Sequence, residues 1–177
     1  FIAFLCLGSL AGLTSFAQDA PVPAAASASE PSLSDMIGQM VMIGFEGDSV
    51  NAPAFRRMLV KAKQGHITGV LYLQRNITSR RNVQAMNKAM QDAAKQPLLI
   101  AVDQEGGAIQ RLPQAAGFLQ VPSARAIARR TTPRQAYATY GGLACYLQRW
   151  GFDLNLGPVA DLDVNPANPI IGRLGRS

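Results

Sequence analysis

The sequence predicts an α/β fold, a (β/α)8 TIM barrel of which about the first four strands are present. Short apolar runs alternate with helical patterns in the order β-α-β-α-β-loop-α-β. Such alternation is typical of parallel strands joined by crossover helices. No glycine-rich phosphate-binding loop follows the first predicted strand, which disfavours a dinucleotide-binding sheet. Acidic residues instead follow the third and fourth predicted strands, the end at which barrel enzymes carry their active sites.

The first predicted unit is a short helix, a strand and a longer helix. Either Ser32 or Ser34 can cap a helix over residues 33–39. The continuous apolar run at 40–45 predicts a strand that is buried on both faces, as strands of parallel sheets are. A helix is predicted over 52–63, and the glycines that follow it mark its end.

The next part of the chain predicts a second strand, a helix and a third strand. The apolar run at 69–73 is the second strand, and a helix is predicted over about 79–95. The apolar residues of this helix recur at helical spacing, namely Val83, Met86, Met90 and Ala93. Pro97 ends the helix, and the apolar run at 98–102 is the third strand.

The last predicted unit is a helix over about 133–150 and a fourth strand within 152–164. Pro133 suits the first turn of the helix. One helical stripe is expected to face the core, and it consists of Tyr137, Tyr140, Ala144 and Leu147. Cys145 lies in the same apolar pattern and is predicted to be a small core residue. Pro158 limits the pairing of the fourth strand.

The two ends of the chain predict processing and truncation. Residues 1–17 are apolar and uncharged and end in Ser-Phe-Ala, as a signal peptide does before its cleavage site. Because no initiator Met is present, this peptide is expected to be N-terminally truncated. Residues 18–31 are rich in Pro, Ala and Ser and predict a flexible linker. Residues 32–177 are expected to be the first half of a barrel domain. The protein is therefore expected to be exported, either periplasmic or secreted, with no integral membrane segment after cleavage.

Composition and residue inventory exclude several functions. The net charge is +6, but no Lys/Arg run is dense enough for a nucleic-acid-binding arm. Residues 106–152 contain six arginines and no acid, which we interpret as solvated helix faces in preference to a surface for an anionic partner. His66 is the one histidine and precedes a strand, which disfavours a Ser-His-Asp triad. No His/Cys cluster or acidic loop has the spacing of a metal site, so no metal or cofactor is expected.

The loop after the third predicted strand carries the strongest chemical signal. Asp103 follows the strand directly, and Gly106 and Gly107 allow a tight turn that can return Arg111 toward the carboxylates. A carboxylate that accepts from vicinal hydroxyls, beside a guanidinium that donates to ring or acyl oxygens, suits a sugar. A structural ion pair that holds the loop explains the same residues equally well.

Strand four repeats this arrangement. Asp161 and Asp163 lie at its end, and a proline- and asparagine-rich loop with Arg173 and Arg176 follows. A structural role for the two aspartates is favoured, because an aspartate at a strand end often accepts backbone amides of the next loop. A pair of glycosidase carboxylates from two strands is the alternative.

Four sequence blocks resemble glycoside hydrolase family 3, in its β-N-acetylhexosaminidase branch. They are AVDQEGGAIQRL at 101–112, IGQMVMIGF at 37–45, GVLYLQRNI at 69–77 and GFDLNLGPVADLDVNPANPIIG…RS at 151–177. The resemblance covers 33–177. It implies a (β/α)8 barrel that removes terminal β-linked N-acetylglucosamine, often from cell-wall fragments, with retention of configuration. The alternatives are a β-glucosidase-type member of the family and a non-catalytic carbohydrate-binding barrel.

The resemblance also implies roles for three residues of this chain. Asp103, Arg111 and Arg176 correspond to substrate-binding residues, although Arg173 is an alternative to Arg176 because the GRLGRS spacing departs from the commoner family form. Ala108 replaces the usual arginine after DQEGG, with little expected consequence. The family's Lys-His motif, its general acid and its nucleophile are expected beyond residue 177. No catalytic residue is therefore assigned, and this segment alone is expected to be inactive.

Overall fold

In the computed structural model, which describes residues 30–177, four parallel strands form one sheet in the order β1-β2-β3-β4. The strands are β1 (Met42–Gly44), β2 (Gly69–Tyr72), β3 (Leu99–Val102) and β4 (Leu154–Asn155). The α-helices are α1 (Leu33–Gly38), α2 (Pro53–Lys63), α3 (Arg80–Ala93), α4 (Ala124–Arg130) and α5 (Pro133–Trp150). Single 3-10 turns lie at Gln74–Asn76 and Gln114–Ala116. The predicted signal peptide and residues 18–29 of the predicted linker lie outside the described residues.

The strand order identifies the type of α/β sheet. Each strand pairs in parallel with the next strand along the chain, with Val70 opposite Ile100 and Val102 opposite Asn155. A doubly wound sheet reverses its strand order at a switch point, whereas a barrel adds strands in sequence. The described residues therefore have the topology of four consecutive strands of a (β/α)8 barrel, as predicted.

Helix ends follow local side-chain chemistry. Ser32, rather than Ser34, caps α1, and its hydroxyl accepts from the amide of Asp35 at 3.1 Å. Thr132 and Gln135 cap α5 reciprocally, and Pro133 occupies its first turn. These caps satisfy amides that have no partner inside the helix, and they explain why the predicted boundaries agree closely with the observed ones.

The core lies between the sheet and the helices. Val83, Met86 and Met90 of α3 are fully buried with alternate residues of β2 and β3, as their helical spacing predicts. The Tyr72 hydroxyl donates to Oδ1 of Asn87 at 2.6 Å, and Asn87 Nδ2 donates to the Gly151 carbonyl at 2.7 Å. Burial raises the pKa of Tyr72. This polar chain joins β2, α3 and the end of α5 inside the core.

Two predicted strands are shorter than expected. β1 is half-buried rather than buried on both faces, because it pairs with β2 alone and forms one side of the sheet. β4 contains two residues of the predicted 152–164 segment. Asn155 there uses its side chain to pair with the backbone of Gln104, and Pro158 has no amide to continue a ladder.

The core face of α5 also differs from the prediction. Of the stripe predicted to be buried, Leu147 is buried and Tyr137 is exposed. The buried face instead consists of Leu143, Leu147 and Trp150, and α5 packs against α3 and α4. Cys145 lies outside this face and is exposed, so its prediction as a core residue is wrong. Among residues 30–177, no helix combines the length and apolar character needed to span a bilayer.

Candidate functional site

The loop after β3 doubles back on itself within a few residues. Asp103 is the first residue beyond the strand, and the amides of Glu105 and Gly106 both donate to the Ile109 carbonyl at 3.1 Å. Gly106 and Ile109 form an antiparallel bridge. This short hairpin returns the chain so that Arg111 lies beside Asp103, as the sequence predicts.

The two glycines of the hairpin are required by its packing. Gly106 has φ of 94° and Gly107 has φ of 61°, in the region that L side chains rarely adopt. A Cβ on Gly106 would lie 2.3 Å from the carbonyl oxygen of Pro122, and one on Gly107 would lie 2.6 Å from Cβ of Ser123. The segment before α4 therefore lies directly against the hairpin, and only glycine fits there.

Gln104 holds the hairpin from inside. Its side chain is fully buried, and its Oε1 accepts from the amides of Arg111 at 2.8 Å and Leu112 at 3.1 Å. Its backbone exchanges two hydrogen bonds of 3.0 Å with the side chain of Asn155 on β4. Gln104 thus fixes the point at which Arg111 re-enters the site. No role for this glutamine follows from the sequence, because only the folded hairpin shows that two amides need an acceptor there.

Asp103 and Arg111 form the first ion pair of the site. Arg111 Nη2 donates to Asp103 Oδ2 at 2.7 Å, and the side chains remain 22% and 28% exposed, respectively, for Asp103 and Arg111. This single hydrogen bond leaves Oδ1 of the carboxylate open to another donor. Arg111 Nε is buried and has no partner among the described residues. The Asp103 carboxylate therefore has capacity for a further donor.

Glu105 and Arg176 form the second ion pair. Arg176 Nε donates to Oε2 of Glu105 at 2.8 Å and Nη2 donates to Oε1 at 2.5 Å, so the contact is bidentate. The side chains are 14% exposed for Arg176 and 6% for Glu105. The hydrogen bonds that Arg176 donates to Glu105 raise the pKa of Arg176, burial opposes this, and the negative charges of Glu105, Asp103 and Asp161 raise it further. Arg176 therefore lies in the field of both pairs.

The structure distinguishes the two candidate arginines of the last loop. Arg176 joins the site, whereas Arg173 is exposed and its backbone amide donates to Asn168. Position in the fold thus favours Arg176 over Arg173 as the candidate substrate-binding arginine of this loop. The substrate-binding roles of Asp103, Arg111 and Arg176 remain predictions.

Helix α4, which was not predicted from the sequence, holds residues 176 and 177. The Arg125 amide donates to the Arg176 carbonyl at 3.2 Å, and Arg125 Nε donates to the Ser177 carbonyl at 2.5 Å. Arg125 Nη2 forms an ion pair with Asp163. Asp163 thus has a structural partner, although that partner is a guanidinium and not the backbone amides that were expected. The signal for α4 was the Ser123 cap, whose hydroxyl accepts from the amide of Ala126.

These features define an α/β-barrel protein with ion-paired carboxylates at the carboxyl ends of its strands. Residues 32–175 match the model for the glycosyl hydrolase family 3 N terminal domain. The chain belongs to this family, in agreement with the resemblance found in its sequence, and its β-N-acetylhexosaminidase branch is the one that the relatives support.

Named relatives are similar over the same region. The beta-hexosaminidase of Bordetella pertussis is 34% identical over 139 residues, which are 75% of this chain and 38% of that protein. A glycoside hydrolase family 3 beta-N-acetylglucosaminidase from Paenibacillus superposes with a TM-score of 0.68 at 26% identity, covering 81% of this chain and 28% of that one. NagZ from Neisseria gonorrhoeae, solved with N-trifluoroacetyl-D-glucosamine, superposes with a TM-score of 0.57 at 27% identity. This match covers 70% of this chain and 37% of that one. The chain thus spans well under half the length of these relatives.

Proposed function

We propose that this chain is the sugar-binding half of an exported β-N-acetylhexosaminidase. The complete enzyme would remove terminal β-linked N-acetylglucosamine from cell-wall-type glycans by a retaining mechanism. In this proposal Asp103, Arg111 and Arg176 bind the sugar, and the nucleophile and the general acid lie beyond residue 177. We refer to the protein that includes those downstream residues as the complete enzyme.

One observation carries the proposal. Asp103 lies at the carboxyl end of β3 with Arg111 Nη2 2.7 Å from its Oδ2, and both side chains are partly open to solvent. A pyranose ring presents adjacent hydroxyls that can donate to a carboxylate and accept from a guanidinium. A ligand of this kind would donate to the free Oδ1 of Asp103 and accept from the solvent-exposed part of the Arg111 guanidinium.

The names of the relatives support the reaction class, which limits what this chain would contribute. One relative carries the name beta-hexosaminidase, and another was solved with an N-acylated glucosamine. A retaining glycosidase forms a covalent glycosyl-enzyme intermediate at one group while a second group protonates the leaving oxygen. Residues of this chain would bind and orient the sugar for those two groups. Orientation of this kind lowers the barrier because the reacting atoms are already positioned.

The direct test is turnover by the complete enzyme of two chromogenic substrates, an N-acetyl-β-glucosaminide and a β-glucoside. We expect hydrolysis of the first with a clear preference over the second, with retention of configuration in the first product. Faster hydrolysis of the glucoside would replace the proposal with a β-glucosidase. Sugar binding without any hydrolysis would replace it with a carbohydrate-binding protein. The 177-residue chain alone should release no chromophore.

Export is a separate part of the proposal. Its support is the apolar, uncharged composition of residues 1–17 and the small residues that precede Gln18. Expression of the complete enzyme with its natural leader should yield a protein outside the cytoplasm whose N-terminus is Gln18. A cytoplasmic protein that retains residues 1–17 would contradict export and leave the sugar-binding proposal untouched.

A further inference from the structure

Glu105 stands out because it is a buried acid to which the family resemblance assigned no role. Among the described residues, the buried polar and charged side chains are Asn76, Asn87, Gln104 and Glu105. Glu105 is the one carboxylate in this group. Burial of a carboxylate is unfavourable unless it is paired and hydrogen-bonded, so its position requires an explanation beyond loop packing.

Both ends of the Glu105–Arg176 pair are held by backbone contacts. On the Glu105 side, the Glu105 and Gly106 amides donate to the Ile109 carbonyl, and Gly107 N donates to the Val121 carbonyl at 2.8 Å. On the other side, the Arg176 amide donates to the Ile171 carbonyl at 3.2 Å. The Arg176 carbonyl accepts from the first turn of α4. The carboxylate is therefore a fixed reference point for the guanidinium.

The bidentate contact determines which donors of Arg176 remain. Nε and Nη2 each donate to one oxygen of Glu105. A guanidinium carries five N–H groups in one plane, so this contact leaves the Nη1 edge uncommitted to Glu105. Two parallel hydrogen bonds fix the plane of the guanidinium as well as its position. A single hydrogen bond would let the plane rotate.

We propose that Glu105 is a positioning residue that acts through Arg176: it fixes the guanidinium plane so that the free edge of Arg176 donates to the bound sugar beside Asp103. This inference rests on the proposed function, because it takes the ligand to be an N-acetylglucosamine unit. A rival role is purely structural, with Glu105 holding the last loop against the hairpin. The two roles differ in what happens to ligand affinity when the chain remains folded.

The test is a double-mutant cycle in the complete enzyme with Glu105→Gln, Arg176→Ala and the double variant. The readouts are kcat and KM for a chromogenic N-acetyl-β-glucosaminide, Kd for N-acetylglucosamine by calorimetry, and Tm. Asp92→Asn is the matched control, because it removes one carboxylate from an exposed pair with Lys88 at the surface of α3. This control should leave KM and Kd unchanged.

If Glu105 positions Arg176, Glu105→Gln raises KM and Kd by roughly 10- to 100-fold, the factor that corresponds to the loss of one charge-assisted hydrogen bond to the sugar. kcat should change much less. In the Arg176→Ala background, Glu105→Gln should have no further effect on KM, because the two residues act as one unit. Should Glu105→Gln fail to fold, Glu105→Asp enters the same cycle, since it keeps the charge but displaces it by one methylene.

Three outcomes would overturn the positioning role. One is a fall in Tm and kcat at unchanged KM and Kd, which indicates a structural role. Another is an additive cycle, in which Glu105→Gln weakens binding equally with and without Arg176. The third is a wild-type enzyme that neither binds N-acetylglucosamine nor hydrolyses the N-acetyl-β-glucosaminide, which would also end the proposed function. If the wild-type enzyme binds N-acetylglucosamine but hydrolyses nothing, only the proposed function fails. The positioning role of Glu105 can then still be tested, because the double-mutant cycle can be measured with Kd.

Discussion

The two carboxylate–guanidinium pairs of the site differ in how the chain assembles them. Asp103 and Arg111 are 8 residues apart and meet across one hairpin through a single hydrogen bond. Glu105 and Arg176 are 71 residues apart and meet through two hydrogen bonds in a more buried position. The local pair is accessible and incompletely satisfied, whereas the distant pair is enclosed and fully bidentate. Under the two proposals, this difference corresponds to a division of labour in which Asp103 and Arg111 exchange contacts with the sugar and Glu105 holds the geometry of Arg176.

Replacement of Asp103, the proposed sugar-binding carboxylate, should give the largest effect. Asp103→Ala in the complete enzyme should lower kcat/KM by a factor equivalent to about 2–4 kcal/mol of transition-state stabilisation. The reason is that a charge-assisted contact is lost and Arg111 is left unpaired. The measurement is steady-state hydrolysis of an N-acetyl-β-glucosaminide, with Tm recorded in parallel. Asp92→Asn is again the surface control. A near-normal kcat/KM for Asp103→Ala would make the first pair structural and remove the division of labour.

A change in the hairpin should disturb both pairs together, since it carries Asp103 and Glu105. Gly106→Ala should lower the free energy of unfolding by about 3 kcal/mol, because it combines an unfavourable φ with a Cβ 2.3 Å from the Pro122 oxygen. Gly117→Ala is the matched variant. Gly117 has φ of 85° but no neighbour within 4 Å, so its loss should be about 1 kcal/mol. Chemical denaturation measures both, and equal losses would show that crowding is unimportant.

Gln104→Ala should show that the two ion pairs contribute independently to KM. It removes the acceptor for the amides of Arg111 and Leu112, which should lower the free energy of unfolding by about 2 kcal/mol and displace Arg111. The Glu105–Arg176 pair does not use this side chain. KM should therefore rise through Arg111, while Glu105→Gln should still raise KM in the Gln104→Ala background. Gln114→Ala, at an exposed position of the following turn, should change neither quantity.

The smallest expected effect concerns an exposed pair remote from the site. The Lys95 hydrogen bond, with a second from Ser32, lowers the pKa of Asp35 to about 2. Its unfolded value is about 3.9, so the folded pKa is depressed. The pair therefore contributes stability above about pH 4 that is lost as the pH falls toward 2. Asp35→Asn should remove this part of the acid dependence of unfolding. An unchanged acid profile would show that the pair contributes nothing measurable.

The fold was largely predictable because its signals are local. Val83, Met86 and Met90 recur at helical spacing, and Ser32, Pro133 and Gly151 mark helix ends by their own chemistry. The errors arise where tertiary packing decides. Cys145 and Tyr137 share an apolar pattern with Leu147, but neighbouring helices select the face with Leu143 and Trp150. Segment 152–164 has strand-like alternation, but side-chain pairing by Asn155 ends the ladder early.

The candidate site was predictable to the extent that its partners are close in sequence. The glycines between Asp103 and Arg111 indicate that the chain turns back, and the pair follows from that. Glu105 could not be matched to Arg176 because their contact depends on α4 and on the path of the last loop. The acceptor role of Gln104 depends on which amides the folded hairpin leaves without a partner. Both roles are products of tertiary structure.

The measurement that tests the account most directly is a crystal structure of the complete enzyme with N-acetylglucosamine bound. We expect a carboxylate oxygen of Asp103 and a guanidinium nitrogen of Arg111 within about 3.2 Å of sugar oxygens. Glu105 should still hold Nε and Nη2 of Arg176, whose Nη1 should face the sugar. A complex in which Asp103 and Arg111 remain paired only with each other and turned away from the ring would contradict the account.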